Sequence, residues 1–135
     1  MGILIQGGRV VDAASQMDKI ADVYLDGCVI QEIGEKLKVK DKDDRIIDAR
    51  GMVVMPGLVD LHVHFRDPGA EYKEDILTGA VSAAAGGVTS VVLMANTNPH
   101  VDQEETLSYV LEKGAKTGIH VYTCANVTMD MEGTS

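Results

Sequence analysis

Pro56-Gly57-Leu58-Val59-Asp60-Leu61-His62-Val63-His64-Phe65-Arg66-Asp67-Pro68-Gly69 is the stretch that decides how this chain folds. Leu58 to Val63 is an apolar, strand-like run. On a strand, side chains two apart share a face, so Asp60, His62 and His64 project together while Leu61 and Val63 face the other way. Two imidazoles on one face at the end of a parallel strand can bind one zinc ion, and Asp60 can orient a ligand from the second shell. Pro68-Gly69 then turns the chain away, as a loop does on leaving a strand's C-terminal end, where parallel α/β folds place their chemistry. Alone, His-x-His is a weak signal, because two half-exposed histidines on a sheet read the same way. Its place after an apolar run, at a strand end and beside an arginine, strengthens the metal reading.

C-terminal to this stretch the hydrophobic period alternates. Residues 73–85 carry Ile76, Leu77, Ala80, Val81 and Ala84 at helical spacing, and Gly86-Gly87 stops the helix. Val88 to Ala95 is β-branched and apolar, a buried strand. Asp102 and Glu105 resemble a capping box; Leu107, Val110, Leu111 and Ala115 then make one apolar face, Gly118 ends the helix, and Ile119 to Cys124 reads as another strand. Strand, helix, strand, helix, strand predicts βαβ units on a parallel sheet. Arg66, two residues beyond His64, suits bidentate capture of a carboxylate, or else is a surface arginine paired with Asp67 or Glu71. Asn96, in Ala95-Asn96-Thr97-Asn98-Pro99, lies on the same rim; its amide can donate to a carboxylate and accept from a ring N–H, or the segment is a plain turn. His100 is expected to face solvent, and His120, at the start of its strand, to be structural.

N-terminal to Pro56 the texture is short strands and tight turns. Ile3-Leu4-Ile5 and Arg9-Val10-Val11 flank Gly7-Gly8; Val23-Tyr24-Leu25 and Val29-Ile30 flank Asp26-Gly27, a hairpin signal in which both turn residues take positive φ. Lys36 to Arg45 is a charged loop, and Ile46-Ile47 and Met52-Val53-Val54-Met55 bracket Arg50-Gly51, so residues 1–55 predict antiparallel sheet. The 135 residues, 45% hydrophobic, suffice for one small domain or parts of two. A formal charge of −9 argues against nucleic acid or an anionic membrane as partner. No apolar run approaches the roughly 20 residues of a membrane span, the N-terminus lacks a signal-peptide pattern, and Cys28 and Cys124 read as reduced thiols of a cytoplasmic protein.

Taken together, Pro56 to Gly69, Glu71-Tyr72-Lys73-Glu74-Asp75-Ile76, Ala83-Ala84-Ala85-Gly86-Gly87-Val88-Thr89-Ser90 and Asn96-Thr97-Asn98-Pro99 resemble the bacterial dihydroorotases of the long type, in the cyclic amidohydrolase superfamily. The opening strands resemble the family's N-terminal section, so the likeness covers essentially the whole chain. It implies an α/β fold: N-terminal β-sandwich strands over residues 1–55, then, over 56–135, the first three strands and two helices of a (β/α)₈ barrel. Carried over by position, His62 and His64 would be zinc ligands and Arg66 and Asn96 would bind the substrate's carboxylate. The reaction implied is the reversible cyclisation of N-carbamoyl-L-aspartate to dihydroorotate in pyrimidine synthesis, with one or two Zn²⁺ per complete site. Family members commonly have Pro where this chain has Ala95, which loosens the Asn96 loop slightly.

A closed barrel takes about 250 residues, and two histidines do not fill a zinc shell of four. The expectation is therefore an N-terminal portion, inactive alone, whose remaining ligands and acid-base Asp lie beyond Ser135. An open sheet edge and uncovered apolar faces predict self-association. Two other functions stay open: a non-catalytic scaffold that binds a partner protein, and part of a hydantoinase- or allantoinase-type enzyme. Arg66 and Asn96 favour dihydroorotate over the latter.

Overall fold

Alternating burial along Gly2–Asp12 makes one continuous strand, β1, rather than two strands about Gly7-Gly8. The glycines instead carry a bulge. The register against β2 (Met17–Asp26) shifts between Ile5 and Gly8, and the Asp22 carboxylate accepts from the Gly7 N–H at 2.8 Å. A bulge bends and twists a strand without ending it. β3 (Val29–Gly34) returns through Gly27-Cys28, and only Gly27 takes a positive φ, because Asp26 still pairs with Val29.

β4 (Arg45–Asp48) and β5 (Val53–Val54) pair with β1 in parallel. The sheet, ordered β3-β2-β1-β4 with β5 also on β1, is thus mixed and not purely antiparallel as expected. The long route through β2, β3 and residues 35–44 provides the crossover that parallel pairing requires. Val10, Ala21 and Val23 are its buried centre, with Ile5, Leu25, Ile33 and Val54 packed on them.

Asp44 closes the charged loop. Its carboxylate accepts from the N–H groups of Gly2 (2.6 Å), Lys40 (2.9 Å) and Asp41 (3.0 Å) and from the Tyr24 hydroxyl (2.8 Å). The Asp41 amide, then the Tyr24 hydroxyl and the Gly2 and Lys40 amides, hold this carboxyl well below the usual range. The same bond pushes Tyr24 up to about 12. The depressed Asp44 stabilises the fold above its unfolded value near ~4 and loses that contribution as pH falls below it; the raised Tyr24 contributes below ~10 and loses its share between there and about 12. Urea midpoints of the wild type are expected to drop at both ends of this window. Asp44→Asn should flatten both limbs, and unchanged limbs would remove the clasp from the account.

The structure is a computed structural model that describes residues 1–133, and its contacts divide the chain into two units, the first Met1–Pro56 and the second beginning at Gly57. The second unit runs β6 (Leu58–Val63), α1 (Ile76–Ala85), β7 (Val88–Leu93), α2 (Glu104–Gly114) and β8 (His120–Thr123). All three strands are parallel, in the order β6-β7-β8. Phe65, Ile76, Ala80, Val91, Leu93, Val101 and Val110 form the core between sheet and helices. The fold is α/β: N-terminal strands followed by βαβαβ units arranged as the opening of a (β/α)₈ barrel.

Asp75 caps α1, accepting from the Leu77 and Thr78 N–H groups at 2.7 and 2.9 Å, with Thr78 answering in a capping box. The box expected at Asp102 is not formed. α2 starts after Gln103, which caps nothing with its side chain, and Asp102 accepts instead from the Asp130 N–H at 2.8 Å. No helix among the described residues is long and apolar enough to cross a membrane.

Candidate metal centre

β6 ends at Val63, so His64 is the first residue of the loop at the C-terminal end of its strand. The period of two brings His62 and His64 together, with their Nε2 atoms 3.2 Å apart and rings edge to face. Two nitrogens each 2.0–2.1 Å from one tetrahedral zinc would lie about 3.3 Å apart. The observed spacing therefore fits a shared ion.

Asn96, in the loop after β7, accepts from His64 Nδ1 through its Oδ1 at 3.0 Å. An amide oxygen cannot donate, so Nδ1 holds the proton and Nε2 keeps its lone pair. That lone pair faces His62 Nε2 across the 3.2 Å gap. Asp60 is tied to the backbone, its Oδ1 accepting from the His62 N–H at 3.0 Å where the β6–β7 register slips. Among the described residues, no third His, Cys, Asp or Glu ligand atom joins the histidine pair. The donor types fit zinc, and the shell they supply is partial.

Arg66 follows with a positive φ of 61° and an exposed side chain. Neither local acid holds it. Glu71 accepts from the Gly69 N–H at 2.9 Å. Asp67 is fully buried, and its Oδ1 accepts from the Tyr109 hydroxyl at 2.8 Å. Its Oδ2 accepts from Lys113 Nζ at 2.6 Å and from the Ile76 N–H at 3.1 Å. The bond to Asp67 raises the Lys113 ammonium above its ordinary pKa and raises Tyr109 too. Among the described residues the Arg66 guanidinium has no ion pair. Sequence reasoning missed the Asp67 cluster. Its only local signal is Tyr109 and Lys113 four apart on one helix face, a spacing common on solvated helices.

The loops bearing Arg66 and Asn96 are joined. Pro68 O accepts from the Asn98 N–H at 3.1 Å, and Arg66 O accepts from the Ala70 N–H at 2.8 Å. His100 is not solvent-facing as expected; it is half-buried, with Nδ1 4.0 Å from Asp130 Oδ1. His120 opens β8, at the far end from the histidine pair, and stacks on Tyr122.

The chain's fold matches solved hydantoinases and dihydropyrimidinases. The D-hydantoinase (dihydropyrimidinase) from Thermus sp. superposes with a TM-score of 0.77 at 26% identity, over 97% of this chain and 29% of that one. The dihydropyrimidinase from Brevibacillus agri gives 0.75 at 30% identity, over 93% and 27%. Residues 51–135 match a family model described as dihydro-orotase-like, and the chain belongs to that family. Dihydroorotases of Streptococcus pyogenes serotype M3 and Clostridioides difficile are 54% and 53% identical to it over 131 residues. The chain spans 31% of the length of these curated relatives.

Proposed function

We propose that the complete gene product carrying this chain is a zinc-dependent dihydroorotase, interconverting N-carbamoyl-L-aspartate and dihydroorotate in the cytoplasm for pyrimidine synthesis. The observation that carries this is the pair of Nε2 atoms 3.2 Å apart, followed two residues on by an arginine that has no ion pair among the described residues. Relatives at 53–54% identity named dihydroorotase support the substrate class.

In this reading residues 1–55 contribute to a small β-sandwich and residues 56–135 to a metal-dependent hydrolase barrel. His62 and His64 hold the metal, and Asp60 steadies His62 through its backbone N–H. When bound, zinc supplies an ionised water at neutral pH and polarises the ring carbonyl. Asn96 keeps the His64 proton on Nδ1, and its amide nitrogen is free to donate to the substrate's carboxylate. Arg66 pairs with that carboxylate bidentately and orients the ring. The remaining ligands and the acid-base Asp come from residues outside this chain, so these 135 residues alone are inactive. The complete protein is a homo-oligomer.

Arg66→Ala tests the substrate assignment. KM for dihydroorotate is expected to rise about a hundredfold, because charge-assisted hydrogen bonds of roughly 1.5–3 kcal/mol to the carboxylate are lost, with zinc content unchanged. Hydrolysis of a hydantoin ring, which lacks the carboxylate, should be unaffected. The solved hydantoinase neighbours favour a second reading in which such a ring is the true substrate. An unchanged KM for dihydroorotate in Arg66→Ala would move the assignment there.

A further inference from the structure

Asp67 stands next to Arg66 in sequence, yet its carboxylate is fully buried while Arg66 is exposed. The two oxygens of its buried carboxylate take three donors from elsewhere: the Ile76 N–H at the start of α1, and Tyr109 and Lys113 on one face of α2. Lys113 Nζ also donates to the Tyr109 hydroxyl at 3.2 Å, which closes the cluster. A buried ion pair contributes little net stability compared with apolar packing of the same volume. What it does enforce is geometry, because each partner has one acceptable place.

The geometry enforced here is that of residues 66–70. Arg66 sits in the left-handed region, which a non-glycine residue keeps only where its surroundings over-determine it. The Ala70 N–H bonds to Arg66 O on one side, and the Asp67 anchor fixes the other. The anchor has a second consequence. With both oxygens engaged by α1 and α2, the adjacent carboxylate makes no ion pair with the Arg66 guanidinium.

We propose that Asp67, held by Tyr109 and Lys113, is a positioning residue that fixes the 66–70 loop and keeps Arg66 free of acids for the substrate's carboxylate. This role rests on the carboxylate-binding reading of Arg66, and two measurements on the complete gene product separate them. The first needs no substrate. Tyr109→Phe is expected to speed amide exchange at Ala70 about tenfold or more while zinc content stays at the wild-type level; exchange within twofold of wild type would overturn the anchor.

The second is a cycle of variants. Asp67→Asn should raise KM for dihydroorotate about tenfold with kcat within about threefold, and should add less than about twofold in an Arg66→Ala background. An equal rise in both backgrounds means that Asp67 does not act through Arg66 and sinks the proposal. Where Asp67→Asn does not fold, Tyr109→Phe takes its place in the cycle. If the wild type does not turn over dihydroorotate, the substrate reading falls, and the anchor is judged by the exchange measurement alone.

Discussion

Replacing His64 with alanine in the complete gene product is expected to lower dihydroorotate turnover about a thousandfold or more and to remove most of the bound zinc. Metal polarisation of the carbonyl and of water is worth several kcal/mol, and about 4 kcal/mol corresponds to a thousandfold in rate. His62→Ala should do the same, since in the proposed reading the two Nε2 atoms, 3.2 Å apart, serve one ion. Asn96→Ala is expected to be milder, about 10–100-fold in zinc affinity, because it removes the partner of Nδ1 and leaves both ligands in place. His120→Ala, at the opposite end of the sheet, serves as the control and should change neither quantity. Zinc content by elemental analysis, and turnover before and after chelation and zinc replacement, decide the matter. A His64→Ala protein with full zinc and full rate would end the metal assignment.

How much of this was legible in the sequence differs between the two units. Beyond Gly57 the period switches cleanly between two and 3.6, and the parallel order β6-β7-β8 follows from connections that must each carry a helix. In the first unit, pairing depends on contacts distant in sequence. Gly7-Gly8 looks like a turn because a bulge and a turn use the same residues; only the Gly7–Asp22 bond distinguishes them. The parallel pairing of β4 on β1 leaves no local mark at all. In the site, a period of two was enough to put His62 and His64 on one face. Asn96 had two plausible partners, and its tautomer-setting contact with His64 could be seen only once β7 lay beside β6. Asp67 was the hardest. Adjacent Arg and Asp suggest a local ion pair, yet burial under α2, some forty residues away in sequence, sends the carboxylate to Lys113 instead. Long-range burial of a charge overrides a neighbour's Coulomb attraction because an unpaired buried carboxylate is far more costly than an unpaired surface guanidinium.

Gly69→Ala is expected to be the most damaging single methyl group in the second unit. Gly69 has a φ of 100°, a region open to glycine and strained for alanine. A Cβ there would lie 2.1 Å from the Asn98 carbonyl oxygen, a backbone atom that cannot swing aside as a side chain would. Backbone strain of about 1–3 kcal/mol and a steric term of similar size should together cost about 3 kcal/mol or more. Relief requires the two loops to separate, which breaks the bond from the Asn98 N–H to Pro68 O. Those loops carry Arg66 on one side and Asn96 on the other, so the damage reaches the proposed carboxylate-binding arginine and the His64 contact together. A misplacement near 1 Å can lower the rate by about a hundredfold. Gly69→Ala should therefore lower both the denaturation midpoint and kcat/KM, whereas Gly118→Ala, where a Cβ meets nothing within 4 Å, should leave both unchanged. Wild-type stability and rate in Gly69→Ala would show that the two loops are not tightly apposed.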